Sequence, residues 1–75
     1  KLAVAVGKRV RELLFEKNIT QYRLTKLTCL NEKTIRDLLN GKTSDVKLST
    51  ICLISDALKI SLTEFFDSQI FVNEN

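Results

Sequence analysis

The sequence predicts an all-α domain built from five short helices, and three observations carry that expectation. Proline is absent and glycine occurs only at Gly7 and Gly41, too few turn-formers for the many short strands of an all-β domain. Apolar residues recur at three- and four-residue spacing, the period of a helix with one buried face. A junction device also occurs three times: an apolar residue, then a capping residue, then a second apolar residue four positions after the cap.

The first helix is expected over Val4–Glu16, with Val6, Val10, Leu13 and Leu14 on its inner face and Lys8, Arg9, Arg11 and Glu12 off it. Asn18 is placed to stop it in a left-handed conformation. Ile19-Thr20 with Leu24 opens the second helix, Gln21–Thr28, whose inward residues are Leu24 and Leu27. Leu30-Asn31 with Ile35 opens the third, Glu32–Asn40, with Ile35, Leu38 and Leu39 inward and Gly41 as its left-handed cap. The fourth spans Leu48–Leu58, with Leu48, Ile51, Ile54, Ala57 and Leu58 inward. Ile60-Ser61 with Phe65 opens the fifth, where Glu64 stands ready to complete a reciprocal capping box.

Seventy-five residues allow one domain, with a core over about residues 4–67 and a tail over 68–75. So short a chain sits near the margin of independent stability. It then needs good helix packing, a metal, disulfides or a partner. The hydrophobic fraction of 44% and charged fraction of 28% exclude disorder as the dominant state. No apolar run is long enough to span a bilayer, no signal peptide is evident, and neither a membrane nor a small-molecule ligand is expected as a partner. The chain opens on Lys1 rather than Met, which leaves room for an initiator or short leader before it. There is no histidine, and Cys29 and Cys52 alone cannot complete a four-ligand zinc site. No metal and no cofactor are therefore expected. Without a secretion signal, a reducing cytoplasm is the expected compartment, in the company of the nucleoid. The two thiols are expected as semi-buried apolar groups, with a disulfide as the alternative.

The net charge of +3 is unevenly spread. Residues 1–47 hold eleven Lys/Arg against five Asp/Glu, whereas residues 48–75 hold one against four. A basic two-thirds and an acidic remainder fit one face built for a polyanion as well as a solvated surface.

The second and third helices are separated only by Cys29-Leu30-Asn31. A connection that short between two short helices enforces a sharp crossing, the arrangement of a helix-turn-helix unit. Its second helix is shaped to enter a DNA major groove. From Gln21 to Thr43 the chain resembles the helix-turn-helix of the Cro and lambda-repressor-like (XRE) family, through Gln21, Leu24, Leu30, Ile35 and Asn40-Gly41-Lys42-Thr43. Leu48 to Phe66 is similar to that family's fourth and fifth helices, so the resemblance covers about residues 6–67. It departs at Thr25, where the family usually has Ala at the helix–helix contact, and at Cys29, where it usually has Gly. A left-handed residue other than glycine costs about 1–2 kcal/mol. Some relatives pair an Arg with a Glu between helices one and three; the matching positions here are Leu14 and Leu39, an apolar substitute.

The resemblance implies a sequence-specific double-stranded DNA-binding domain, a transcriptional regulator of the repressor type, reading the major groove with its third helix. It implies base contacts from Glu32, Lys33, Thr34, Arg36 and Asp37. Lys33 or Arg36 suits guanine, Glu32 or Asp37 suits the cytosine amine. Gln21, Asn31, Asn40, Lys42, Thr43 and Lys47 are the candidates for phosphate contacts.

Phe15 and Phe65 are expected in the core. Leu62, Phe66, Ile70 and Phe71 exceed what so small a core obviously absorbs. They either form the interface of a two-fold homodimer, which would also set two third helices about one turn of DNA apart, or fold back over the chain's own core. An enzyme is not expected, because histidine, a glycine-rich phosphate loop and a nucleophile with paired carboxylates are all missing. The rival to DNA binding is a protein-interaction module on the same fold, such as an antitoxin or anti-repressor partner.

Overall fold

The structure is a computed structural model that describes residues 2–72; Lys1 and the last three positions of the tail lie outside the described residues. Among the described residues six helices follow one another: α1 Leu2–Lys17, α2 Gln21–Thr28, α3 Glu32–Leu39, α4 Leu48–Ala57, α5 Leu62–Phe66 and α6 Gln69–Val72. The first five are those expected, shifted by a residue or two at their ends. The sixth is a single turn formed by the apolar tail.

The junctions show why the helices start and stop where they do. Thr20 Oγ1 accepts the Arg23 N–H at 3.0 Å, Asn31 Oδ1 the Lys33 N–H at 2.7 Å, and Ser61 Oγ the Glu64 N–H at 3.0 Å. Each satisfies an amide that the first turn leaves without an intrahelical partner. Only this first half of the Ser61–Glu64 capping box forms among the described residues. The first four helices end in left-handed residues: Asn18 at φ 57°, Cys29 at 58°, Gly41 at 72° and Lys59 at 61°. After Asn18 the Ile19 N–H returns to Leu14 O, and after Lys59 the Ile60 N–H returns to Ser55 O. These are Schellman closures in which the apolar residue beyond the cap folds inward. The same Ile19 and Ile60 then precede the next cap, so one device both stops a helix and starts its successor.

One core holds the helices together. Val6, Val10, Leu13 and Leu14 of α1 meet Leu24, Ile35, Leu38, Leu39, Ile51, Ile54, Leu58, Ile60 and Phe65, with Ile19, Leu30, Val46, Ala57 and Phe71 packed against the edge. Leu14 and Leu39 are both in this cluster, an apolar junction between α1 and α3. That junction is tight. A Cβ on Gly7 would overlap the Leu38 carbonyl oxygen and lie 3.2 Å from its carbon, so glycine lets α1 lie directly on the backbone of α3.

Several expectations are corrected. Phe15 is 88% exposed rather than packed, because its phase places it with Lys8 and Arg11 on the outer face of α1. Leu27 and Leu48 also face outward. In α2 the buried residues are Leu24 and Thr28, one turn apart, with Leu27 rotated off that line. Leu48 is the first residue of α4, ahead of the turn that reaches the core. Cys29 is exposed, whereas Cys52 is half-buried. Arg9, expected off the inner face, is buried. Its guanidinium donates to Phe65 O at 2.6 Å and to Glu64 O at 2.8 Å and pairs with the Glu12 carboxylate. It thereby closes the C-terminal turn of α5 with donors that reach across the core.

The tail folds back. α6 packs on α1, and Ser68 Oγ donates to Glu12 Oε1 at 3.1 Å. Phe71 lies 6.2 Å from Phe65 and 5.0 Å from Phe66 by ring centroid. Ile70 and Phe71 are thus half-buried, while Leu62 and Phe66 each keep 38% of their surface exposed. Among the described residues no helix is long and apolar enough to cross a membrane.

Candidate nucleic-acid interface

The turn between α2 and α3 fixes the site. Thr25, which stands where the resembled family usually has alanine, is half-buried; its hydroxyl donates to Gln21 O at 3.1 Å, so the extra polar atom is satisfied within α2 and need not enter the contact with α3. Thr28 does more. Its hydroxyl donates to Leu24 O at 2.9 Å and accepts the Leu30 N–H at 3.3 Å, tying the exit of α2 to the entry of α3. Cys29 occupies the glycine position at φ 58°, with its N–H donating to Thr25 O at 2.9 Å. The turn keeps its geometry with a side chain in the left-handed region, a strain of about 1–2 kcal/mol that the surrounding bonds over-determine.

α3 is divided lengthwise. Ile35, Leu38 and Leu39 are buried, while Glu32, Lys33, Thr34 and Arg36 are exposed and Asp37 is half-buried. Five of the expected site residues therefore share the outer surface of one helix whose inner surface is clamped to α1 and α2. No apolar side chain lies on that outer surface. Lys33 Nζ donates to Asp37 Oδ2 at 2.7 Å, one turn along. That hydrogen bond holds the Asp37 carboxyl below its ordinary value of 3.8; modest desolvation opposes it, and the positive charges of Lys33, Arg36 and Lys42 reinforce it.

The remaining candidates frame this surface. Gln21 is the first residue of α2 and half-buried, and Asn31 is exposed as the N-cap of α3. Because the Asn31 oxygen is bonded to the Lys33 N–H, its amino group is the part left to donate. Asn40 caps the other end of α3. Lys42 and Lys47 are exposed and Thr43 is half-buried on the loop joining α3 to α4. Thr34, Thr43 and Lys47 also border one shallow groove of 260 Å³ between α3 and α4.

One contact was missed from the sequence. Arg11 of α1 reaches α3, with Nε donating to Leu39 O at 2.7 Å and Nη2 to Asn40 Oδ1 at 2.8 Å. Its position one turn after Lys8 marked it only as an outward-facing cation. Among the described residues no group of three or more Cys, Asp or Glu side chains is arranged to hold a metal ion.

Comparison with known proteins bears on this geometry. A family model described as the Cro/C1-type HTH DNA-binding domain matches residues 9–69. The restriction-modification controller protein C.AhdI from Aeromonas hydrophila is similar in structure, with a TM-score of 0.76 and 31% identity over 85% of this chain and 96% of that one. Prophage Lp1 protein 11 is similar too, with a TM-score of 0.77 and 30% identity over 93% of this chain and 91% of that one. No curated protein sequence matches the chain.

Proposed function

The chain belongs to the Cro/C1-type helix-turn-helix DNA-binding domain family, and from that premise we propose that it is a transcriptional regulator of the repressor type that reads double-stranded DNA by laying α3 in the major groove. DNA binding, not catalysis, is the activity of the matched family. The observation that carries the finer reading is the division of α3: an outer surface of charged and polar side chains on a helix held rigid by Ile35, Leu38 and Leu39. Side chains on a clamped helix meet base edges at reproducible positions, which direct readout requires. A protein-interaction module on this fold would need apolar side chains there, and that surface has none.

In this reading Lys33 and Arg36 donate to guanine, Glu32 and Asp37 accept from cytosine, and Thr34 serves either. Lys33 and Asp37 are already paired, so each holds the other in register before the groove arrives, and their exchange of partners is part of the selection. Gln21, Asn31, Asn40, Lys42, Thr43 and Lys47 hold phosphates on either side. The carboxylates raise the cost of a wrong base more than they add affinity. The half-exposed Leu62 and Phe66 support a weak homodimer, in which two copies present two α3 helices to a two-fold site. Sedimentation equilibrium tests that association.

The direct experiment is selection of bound sequences from a random duplex pool, followed by titration against a selected and a random duplex. Lys33→Ala is expected to weaken the selected duplex by about 1–3 kcal/mol and to relax one base position. Lys42→Ala is expected to weaken both alike and to lower the salt slope by about 0.9. Absence of binding to any duplex at low salt would overturn the reading.

A further inference from the structure

The outer surface of α3 does not end at Asp37. Lys33, Arg36, Asp37 and Asn40 fall at i, i+3, i+4 and i+7, a single stripe, and its last member is held from α1. Arg11 donates to both Leu39 O and Asn40 Oδ1. A guanidinium has no acceptor, so the carboxamide oxygen of Asn40 must face Arg11 and its amino group must face away. That amino group has no partner among the described residues. Beside it lies a shallow depression of 390 Å³ lined by Val4, Lys8, Arg11, Leu39, Asn40 and Gly41. The lining holds two cations and no carboxylate.

A helix C-terminus ordinarily repels anions, because its last four carbonyls carry partial negative charge. Here all four are occupied. Arg36 O accepts from the Asn40 N–H, Leu38 O from the Gly41 N–H, Asp37 O from the Lys42 N–H, and Leu39 O from Arg11. The last of these comes from a full positive charge, placed where the repulsion would be strongest.

We propose that Lys8, Arg11 and Asn40 form a binding site for one backbone phosphate of the duplex, extending the interface from the helix-turn-helix onto α1. The proposal rests on the DNA-binding reading above. Asn40 donates its amino group, Lys8 supplies a point charge, and Arg11 is the positioning residue that turns the Asn40 amide and silences the helix end. The contact lies at the far end of α3 from its base-reading first turn, and so adds affinity without base preference.

The test compares the native chain with Lys8→Gln, Asn40→Asp and Lys59→Gln. Lys59→Gln makes the same charge change between α4 and α5, away from the site. Binding of a random duplex is followed by fluorescence anisotropy across a salt series, and folding of each variant by thermal unfolding. Lys8→Gln is expected to lower the salt slope by about 0.9, and Lys59→Gln to leave it unchanged. Asn40→Asp retains the oxygen that accepts from Arg11, so the fold stays as stable as native. It turns the outward donor into a carboxylate, so affinity falls about ten-fold or more. A slope change equal in Lys8→Gln and Lys59→Gln, or native affinity in Asn40→Asp, overturns the proposal while leaving DNA binding intact. Inorganic phosphate, titrated at constant ionic strength, is expected to leave the Asn40 side-chain amide resonances in place; a shift as large as that caused by duplex would mark a site for free phosphate and overturn it. A native chain that binds no duplex removes the reading and the proposal together.

Discussion

Gly7→Ala separates two physical effects of opposite sign. Gly7 lies inside α1, and alanine there improves helix propensity by about 1 kcal/mol. If local propensity decided the outcome, the melting temperature would rise. The new methyl group, however, would overlap the Leu38 carbonyl oxygen. That oxygen is backbone and cannot rotate aside, so α1 must lift from α3. A gap of about 0.5–1 Å forfeits a quarter to a half of each facing dispersion contact. The contacts at risk involve Val6, Val10, Leu14, Ile35, Leu38 and Leu39, all buried. Overpacking that moves backbone costs about 3 kcal/mol at the upper end of its usual range. Net of propensity the loss is about 2 kcal/mol, and at roughly 4–8 °C per kcal/mol for a domain of this size the melting temperature falls by about 10 °C. Circular dichroism at the helical band during heating is the assay, with Lys8→Ala on the exposed face as the propensity control. A melting temperature equal to or above native would refute the close approach of α1 and α3.

Arg9→Met is expected to destabilise by about 2 kcal/mol, because it leaves the Phe65 carbonyl without a donor and the Glu64 carbonyl with the Asp67 N–H alone at the end of α5; urea unfolding measures it, and a loss below about 0.5 kcal/mol would contradict it. Ser55→Ala is expected to stabilise by about 1 kcal/mol in the same assay, since the Ser55 hydroxyl is buried without a partner and alanine also favours the helix. The Asp37 carboxyl is held below 3.8 by Lys33. Its contribution to stability is therefore present above the unfolded value and lost as pH falls through the native one. Carboxyl NMR is expected to show a midpoint below 3.8 that returns toward it in Lys33→Gln.

The sequence alone determined the local structure and the location of the helix-turn-helix. Capping residues, left-handed stops and apolar phase act within a few residues of chain, so Thr20, Asn31, Ser61, Asn18 and Gly41 could be placed from spacing. The three-residue turn placed the helix-turn-helix, and the resemblance named Glu32 to Asp37 as its outer surface. Helical phase outweighs residue type at Phe15, which is aromatic but shares a face with two cations and stays in solvent. Only the tertiary structure decided what distant segments do to one another. Arg9 is buried because its partners are carbonyls 55 and 56 residues away, and backbone acceptors leave no mark in a sequence. The tail turned inward because α1 left a face on which Phe71 could pack. Gly7 stood as one of only two glycines, with nothing local to say why; α3, lying against it, supplies the reason. Arg11 gained its partners in the same way, when the fold brought Leu39 O and the Asn40 carboxamide at the end of α3 to it.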